Sequence, residues 1–127
     1  MKYLCVDYGT QHIGIAVSND EGTIAFPRAV IANNEQSISR IITMVREEGI
    51  GTIVIGDTRT FSGAENSITP AAESFAQELS ARSGVPVELA QEAWSSQEAA
   101  RFAPAGVKND AAEAAVILQR FLEMRGA

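Results

Sequence analysis

Four acidic residues stand where a carboxylate could do chemistry. Asp7 closes the apolar run Tyr3-Leu4-Cys5-Val6 and is followed by Tyr8-Gly9-Thr10. Asp57 follows Ile53-Val54-Ile55-Gly56, and Glu92 follows the apolar stretch that ends at Leu89. Asp110 precedes Ala114, Ile117 and Leu118 at helical spacing, which places it on the inward stripe of a helix. Clustered carboxylates repel one another and lose hydration, so they remain ionised when a hard cation joins them. Two such ions, Mg2+ or Mn2+, held this way could activate a water and stabilise the leaving oxygen of a phosphodiester, with no side-chain nucleophile required. One histidine, His12, and one cysteine, Cys5, do not make a zinc site, and no Gly-x-Ser-x-Gly elbow is present. Each acid also has a plainer reading. Asp7 could cap its turn, Asp57 could start a loop, Glu92 could be solvated, and Asp110 could cap its helix.

The turn after Asp7 suits anions. In an Asp-x-Gly-Thr hairpin, glycine would supply a positive φ, and the amides around Gly9 and Thr10 would face a phosphate. Sugar kinases, actin and heat-shock ATPases cradle nucleotide phosphates in this way, but between two such domains, and this chain has room for one. Arg59, Arg101 and Lys108 are the basic residues nearest the proposed acidic edge and the expected phosphate contacts. Against these cations stands a net charge of −6, unusual for a nucleic-acid binder.

The elements that must position these groups follow from pattern. Lys2 to Asp7, His12 to Ser18 and Thr23 to Ile31 read as three strands joined by the tight turns 8–11 and 19–22, so they pair as an antiparallel meander. Pro27 favours an edge position for the third. Ile38, Ile41, Ile42 and Val45 then mark a helix between the Asn33-Asn34 cap candidates and Gly49. Thr52 to Ile55 reads as a central strand, and Asp57 to Asn66 as a polar loop. Thr69-Pro70 opens a helix with Ala72, Phe75, Ala76 and Leu79 inward, and Gly84 beyond its end. Val85 to Leu89 is a fifth strand. Ser95 to Glu98 is a capping box, Ala103 to Gly106 a break, and about Asp110 to Met124 a last helix with Ala114, Ile117, Leu118 and Phe121 inward.

The expected fold is therefore α/β, a five-stranded mixed sheet of three antiparallel strands followed by two parallel ones, with helices on both faces. Ligand chemistry gathers at the carboxyl ends of the parallel strands, which is where Asp7, Asp57 and Glu92 fall. At 127 residues and 46% apolar content, one domain with a real core is expected. No apolar stretch approaches a membrane span and the N-terminus does not read as a signal peptide, so a cytoplasmic monomer or homodimer is expected. Cys5 reads as a buried structural thiol.

On these residues the chain resembles the YqgF family, in the Holliday-junction-resolvase branch of the RNase H-like fold, over almost its whole length. Val6 to Ser18 is similar to the family's Asp-x-Gly signature through Ile13-Gly14-Ile15-Ala16-Val17-Ser18, and Ile53-Val54-Ile55-Gly56 to its strand ending in glycine. Gln91 to Ala99 resembles its Asp-Glu-Arg segment, and Asp110 to Gln119 its closing helix. The resemblance implies a metal-dependent nuclease, acting in maturation of the small-subunit ribosomal RNA precursor or on branched DNA. It gives Asp7, Glu92 and Asp110 the acidic positions. Gln91 stands where the family has aspartate, Ala93 where it has arginine, and Gln11-His12 where it has a usually basic pair. Asp57 falls where other members of the superfamily carry an acid and would compensate for Gln91. Two other functions stay open: a non-catalytic relative binding RNA or a ribosome-assembly partner, and a nucleotide-phosphate-binding domain.

Overall fold

The computed structural model describes residues 1–57, 70–90 and 110–126. Short turns dictate its first half. Strands β1 (Tyr3–Tyr8) and β2 (His12–Ser18) pair antiparallel, and β2 pairs antiparallel with β3 (Ala25–Ala32). The β2–β3 turn closes on Asn19, whose Oδ1 accepts from the amides of Thr23 and Ile24 at 2.8 and 3.1 Å. Pro27 lies on β3, an edge strand, next to a register shift opposite Ile15 and Ala16. A residue without an N–H is tolerated there.

Helix α1 (Ser37–Glu48) follows, with Ile38, Ile41, Ile42 and Val45 buried, and Gly49 closes it in the left-handed region at φ 66°. Asn34 does not cap it in the expected manner. The N-cap is Gln36, and Asn34 Oδ1 accepts from the Gln36 amide at 2.8 Å, one step ahead of the helix. Strand β4 (Thr52–Asp57) then enters parallel to β1, helix α2 (Pro70–Ser83) leads to β5 (Val87–Leu89), parallel to β4, and α3 (Asp110–Gly126) ends the chain. The order across the sheet is β3-β2-β1-β4-β5. This is the expected mixed sheet.

Strands β1 and β3 sit one or two residues later than the pattern reading, and the ends of β4 and β5 differ for identifiable reasons. β4 continues beyond Ile55 because Gly56 and Asp57 pair with Asp7 and Tyr8. Asp57 is thus a strand residue rather than the start of a loop. β5 is shorter than Val85 to Leu89, since Pro86 has no N–H for the ladder. The segments read as capping box, break and Thr69 cap lie outside the described residues.

Both faces of the sheet are covered. Leu4, Val6, Ile13, Ile15, Ile53 and Ile55 pack with α1 and α2 on one face. Cys5, Ala16 and Val54 pack with Ala114, Ala115, Ile117 and Leu118 of α3 on the other. That second face is built largely from small side chains, so α3 can seat close to the strands.

Candidate active site

Strand alternation decides which face each residue serves. Leu4 and Val6 point to α1 and α2, whereas Cys5 points to α3. Asp7, two residues on, shares the Cys5 row and is 3% exposed. Its cross-strand partners are both glycines, Gly14 on β2 and Gly56 on β4. No neighbouring-strand side chain therefore crowds the carboxylate on that face. A buried acid beside side-chain-free positions is an arrangement suited to holding a cation or a polar ligand. The sequence reading gave Gly14 and Gly56 no role in the site. The signal was available: glycine inside a strand of β-branched residues marks a close approach or a ligand.

Helix α3 brings Asp110 to the same edge. Ile117 meets Gly56 near the carboxyl end of β4, where an added Cβ would stand 3.0 Å from Ile117 Cδ1. One turn later the Phe121 ring meets Tyr3, at the amino end of β1, with centroids 5.9 Å apart. The helix thus runs from the carboxyl edge of the sheet back toward its amino edge, and it starts at Asp110. Asp57 is level in register with Tyr8, whose ring packs against Phe75 of α2 at 5.1 Å, while Asp7 is level with Gly56. Glu92, Arg59, Arg101 and Lys108 lie outside the described residues. Among the described residues, no group of three or more His, Cys, Asp or Glu is placed to hold a metal ion.

Burial, and after it the charge of Asp7, push the Cys5 thiol well above its usual range. Cys5 is therefore held as a neutral S–H in the core, as a buried structural thiol. His12 is exposed at the start of β2.

The β1–β2 turn is tighter than the sequence suggests, for a different reason. Gly9 is not among the glycines with positive φ, which are Gly22, Gly49 and Gly84. Glycine is required because a Cβ at position 9 would run into the His12 carbonyl oxygen. Across the turn, Asn33 Nδ2 donates to the Gly9 carbonyl at 2.7 Å, and the Asn33 amide donates to the Gln11 carbonyl at 2.9 Å.

Comparison with known proteins shows the family. The family model described as RuvX, Holliday junction resolvase, matches residues 1–124. A protein of Anaeromyxobacter sp. (strain Fw109-5) named "Putative pre-16S rRNA nuclease" is 36% identical, with all of both chains covered. One of the same name from Nitratidesulfovibrio vulgaris (strain DSM 19637 / Miyazaki F) is 34% identical over 98% of this chain and 94% of its own. Among solved structures, T. thermophilus RuvC in complex with a Holliday junction substrate matches with a TM-score of 0.60 at 13% identity. That match covers 100% of this chain and 96% of RuvC, and it shows a shared fold. The resemblance to the YqgF family is borne out, and the chain belongs to the RuvX family of Holliday junction resolvases, on the RNase H-like fold.

Proposed function

We propose that this protein hydrolyses phosphodiester bonds of structured nucleic acid at the carboxyl edge of β1 and β4, with the 16S ribosomal RNA precursor as its substrate. The observation that carries this reading is the buried Asp7 carboxylate between Gly14 and Gly56, in a chain of a nuclease family. Family relatives named for pre-16S rRNA favour RNA over a branched DNA junction.

Asp7 and Asp110 are the primary metal ligands in this reading, with Glu92 completing the set and Asp57, level with Tyr8 and so one step off the Asp7 row, as its outermost member. This oxygen-only donor set fits Mg2+ or Mn2+. Such ions, when bound, supply an acidified water and neutralise charge on the leaving oxygen. The protein's own part is positional. β1 holds Asp7 rigidly in the sheet, Gly14 and Gly56 put no side chain beside it from the neighbouring strands, and α3 delivers Asp110 to the same edge. The hairpin amides at Gly9 and Thr10 hold a substrate phosphate, while Arg59, Arg101 and Lys108 contact the flanking backbone. No helix of the described residues is long and apolar enough to cross a membrane. The protein acts in the cytoplasm as a monomer or homodimer.

Cleavage of structured RNA carrying the 16S precursor ends, and of four-way DNA junctions, tests the proposal with Mg2+ or Mn2+ present. Wild type should cleave the RNA, and Asp7→Asn should lose at least a hundredfold in rate. Equal rates for the two proteins would refute the site. The net charge of −6, together with Gln91 and Ala93, favours a second reading, an RNA-binding relative that does not cleave. It predicts salt-sensitive RNA binding without metal-dependent products.

A further inference from the structure

We infer that Asn33 is a positioning residue for substrate binding, aiming the Thr10 amide at a phosphate by fixing the Gly9–Thr10 peptide. The inference rests on the phosphodiesterase reading and adds to it a residue that lies far from the acidic set in sequence.

Asn33 sits at the junction between β3 and α1, and the structure holds that junction from several sides. The Asn33 amide donates to the Gln11 carbonyl at 2.9 Å. The next residue's amide, that of Asn34, donates to Ser37 Oγ at 2.8 Å. Ser37 is fully buried, and its Oγ lies 2.9 Å from the Ala32 and Asn34 carbonyls. Asn33 is therefore presented from a rigid base, with its side chain directed at the hairpin. There its Nδ2 donates to the Gly9 carbonyl at 2.7 Å.

The consequence follows from peptide geometry. In a planar trans peptide the C=O and the following N–H point in opposite directions. Holding the Gly9 carbonyl toward Asn33 turns the Thr10 N–H away from it, on an exposed residue three positions beyond Asp7. Without Asn33 this peptide could rotate, because both dihedrals flanking it are soft and Gly9 adds freedom of its own. The steric limit at Gly9 acts on its Cβ position only, so it does not replace the hydrogen bond. An oriented amide is a preorganised phosphate donor, and an unoriented one is not.

Asn33→Ala and Asn34→Ala form a matched pair, since Asn34 supports the helix start and does not touch the hairpin. Cleavage kinetics on structured RNA with Mg2+ should show KM raised about tenfold in Asn33→Ala, near the weight of one hydrogen bond to a charged group, with kcat within about twofold. In parallel, the Thr10 amide resonance should shift on titration with inorganic phosphate in wild type, and respond much less in Asn33→Ala. Asn34→Ala should lose thermal stability with KM and the Thr10 response unchanged. If Asn33→Ala is too unstable, Asn33→Leu, of similar volume and without the donor, must give the same result. A melting-temperature loss with unchanged KM and unchanged phosphate response would overturn the inference and leave Asn33 a structural staple. If wild type cleaves nothing, the phosphodiesterase reading fails, while the phosphate titration still decides the role of Asn33.

Discussion

Adding a single methyl group at Gly56 probes the contact that sets α3 against the site. In Gly56→Ala the new Cβ would lie 3.0 Å from Ile117 Cδ1 and 3.2 Å from Cγ2. Unstrained carbon contacts need about 3.5–4.0 Å, so something must move by roughly half an ångström. Ile117 is 2% exposed and packs with Val54, Ala114 and Leu118, so it has no free space to enter. Overpacking of this kind costs about 1–3 kcal/mol. Replacing glycine in a strand gives back about 0.5–1 kcal/mol through the unfolded chain. The expected net loss is about 1.5 kcal/mol, or a fall in Tm of about 4–6 °C for a chain of this size. Ile117→Val deletes Cδ1, the nearer atom, and by itself costs about 1 kcal/mol. Independent effects would sum to about 2.5 kcal/mol in the double variant. Relief of the clash predicts a double variant only about 1 kcal/mol less stable than wild type, a coupling of at least 1 kcal/mol. Urea denaturation of all four proteins, with m-values compared, measures this directly. A double variant additive to within about 0.3 kcal/mol would refute the packing argument.

Gln119 Oε1 accepts from the Ala25 amide at 2.9 Å, and its Nε2 lies 3.2 Å from the Thr23 carbonyl. Gln119→Ala leaves the buried Ala25 N–H without this acceptor, so thermal unfolding should show a loss of about 1–2 kcal/mol; wild-type stability would contradict it. Because burial raises the Cys5 thiol, its contribution to stability is complete below the unfolded pKa of about 8.5. It is lost as pH climbs from there through the folded pKa, by up to about 1.4 kcal/mol per pH unit, as the unfolded chain ionises first. Urea midpoints of wild type and Cys5→Ala at pH 7 and pH 10 should therefore converge or cross, and parallel curves would remove the effect. Asp57→Asn should weaken Mn2+ affinity about tenfold by calorimetry if Asp57 belongs to the metal set, and an unchanged affinity takes it out.

Local pattern carried most of the fold. Two turns too short for crossovers force β1, β2 and β3 into a meander, and helical spacing of Ile38, Ile41, Ile42 and Val45 separates it from the parallel half. β4 was harder to bound, since Gly56 and Asp57 have poor strand propensity and are held by pairing with Asp7 and Tyr8. Gly9 likewise owes its place to a contact that no local pattern shows. A dipeptide pattern suggests a positive φ, but the close approach of His12 exists only once the hairpin has closed.

The sequence by itself determined the sheet's composition, the carboxyl-edge position of Asp7 and the kinship with the resolvase branch of the RNase H-like fold. All three rest on short-range spacing and on a contiguous signature from Val6 to Ser18. Tertiary structure alone decided the company that Asp7 keeps. Register set Gly14 and Gly56 on either side of it, the small residues of one face let α3 approach, and Asn33 reached across from the β3–α1 junction to the Gly9 carbonyl. These are contacts between residues distant in the chain, fixed by strand pairing and close packing, and no local pattern encodes them.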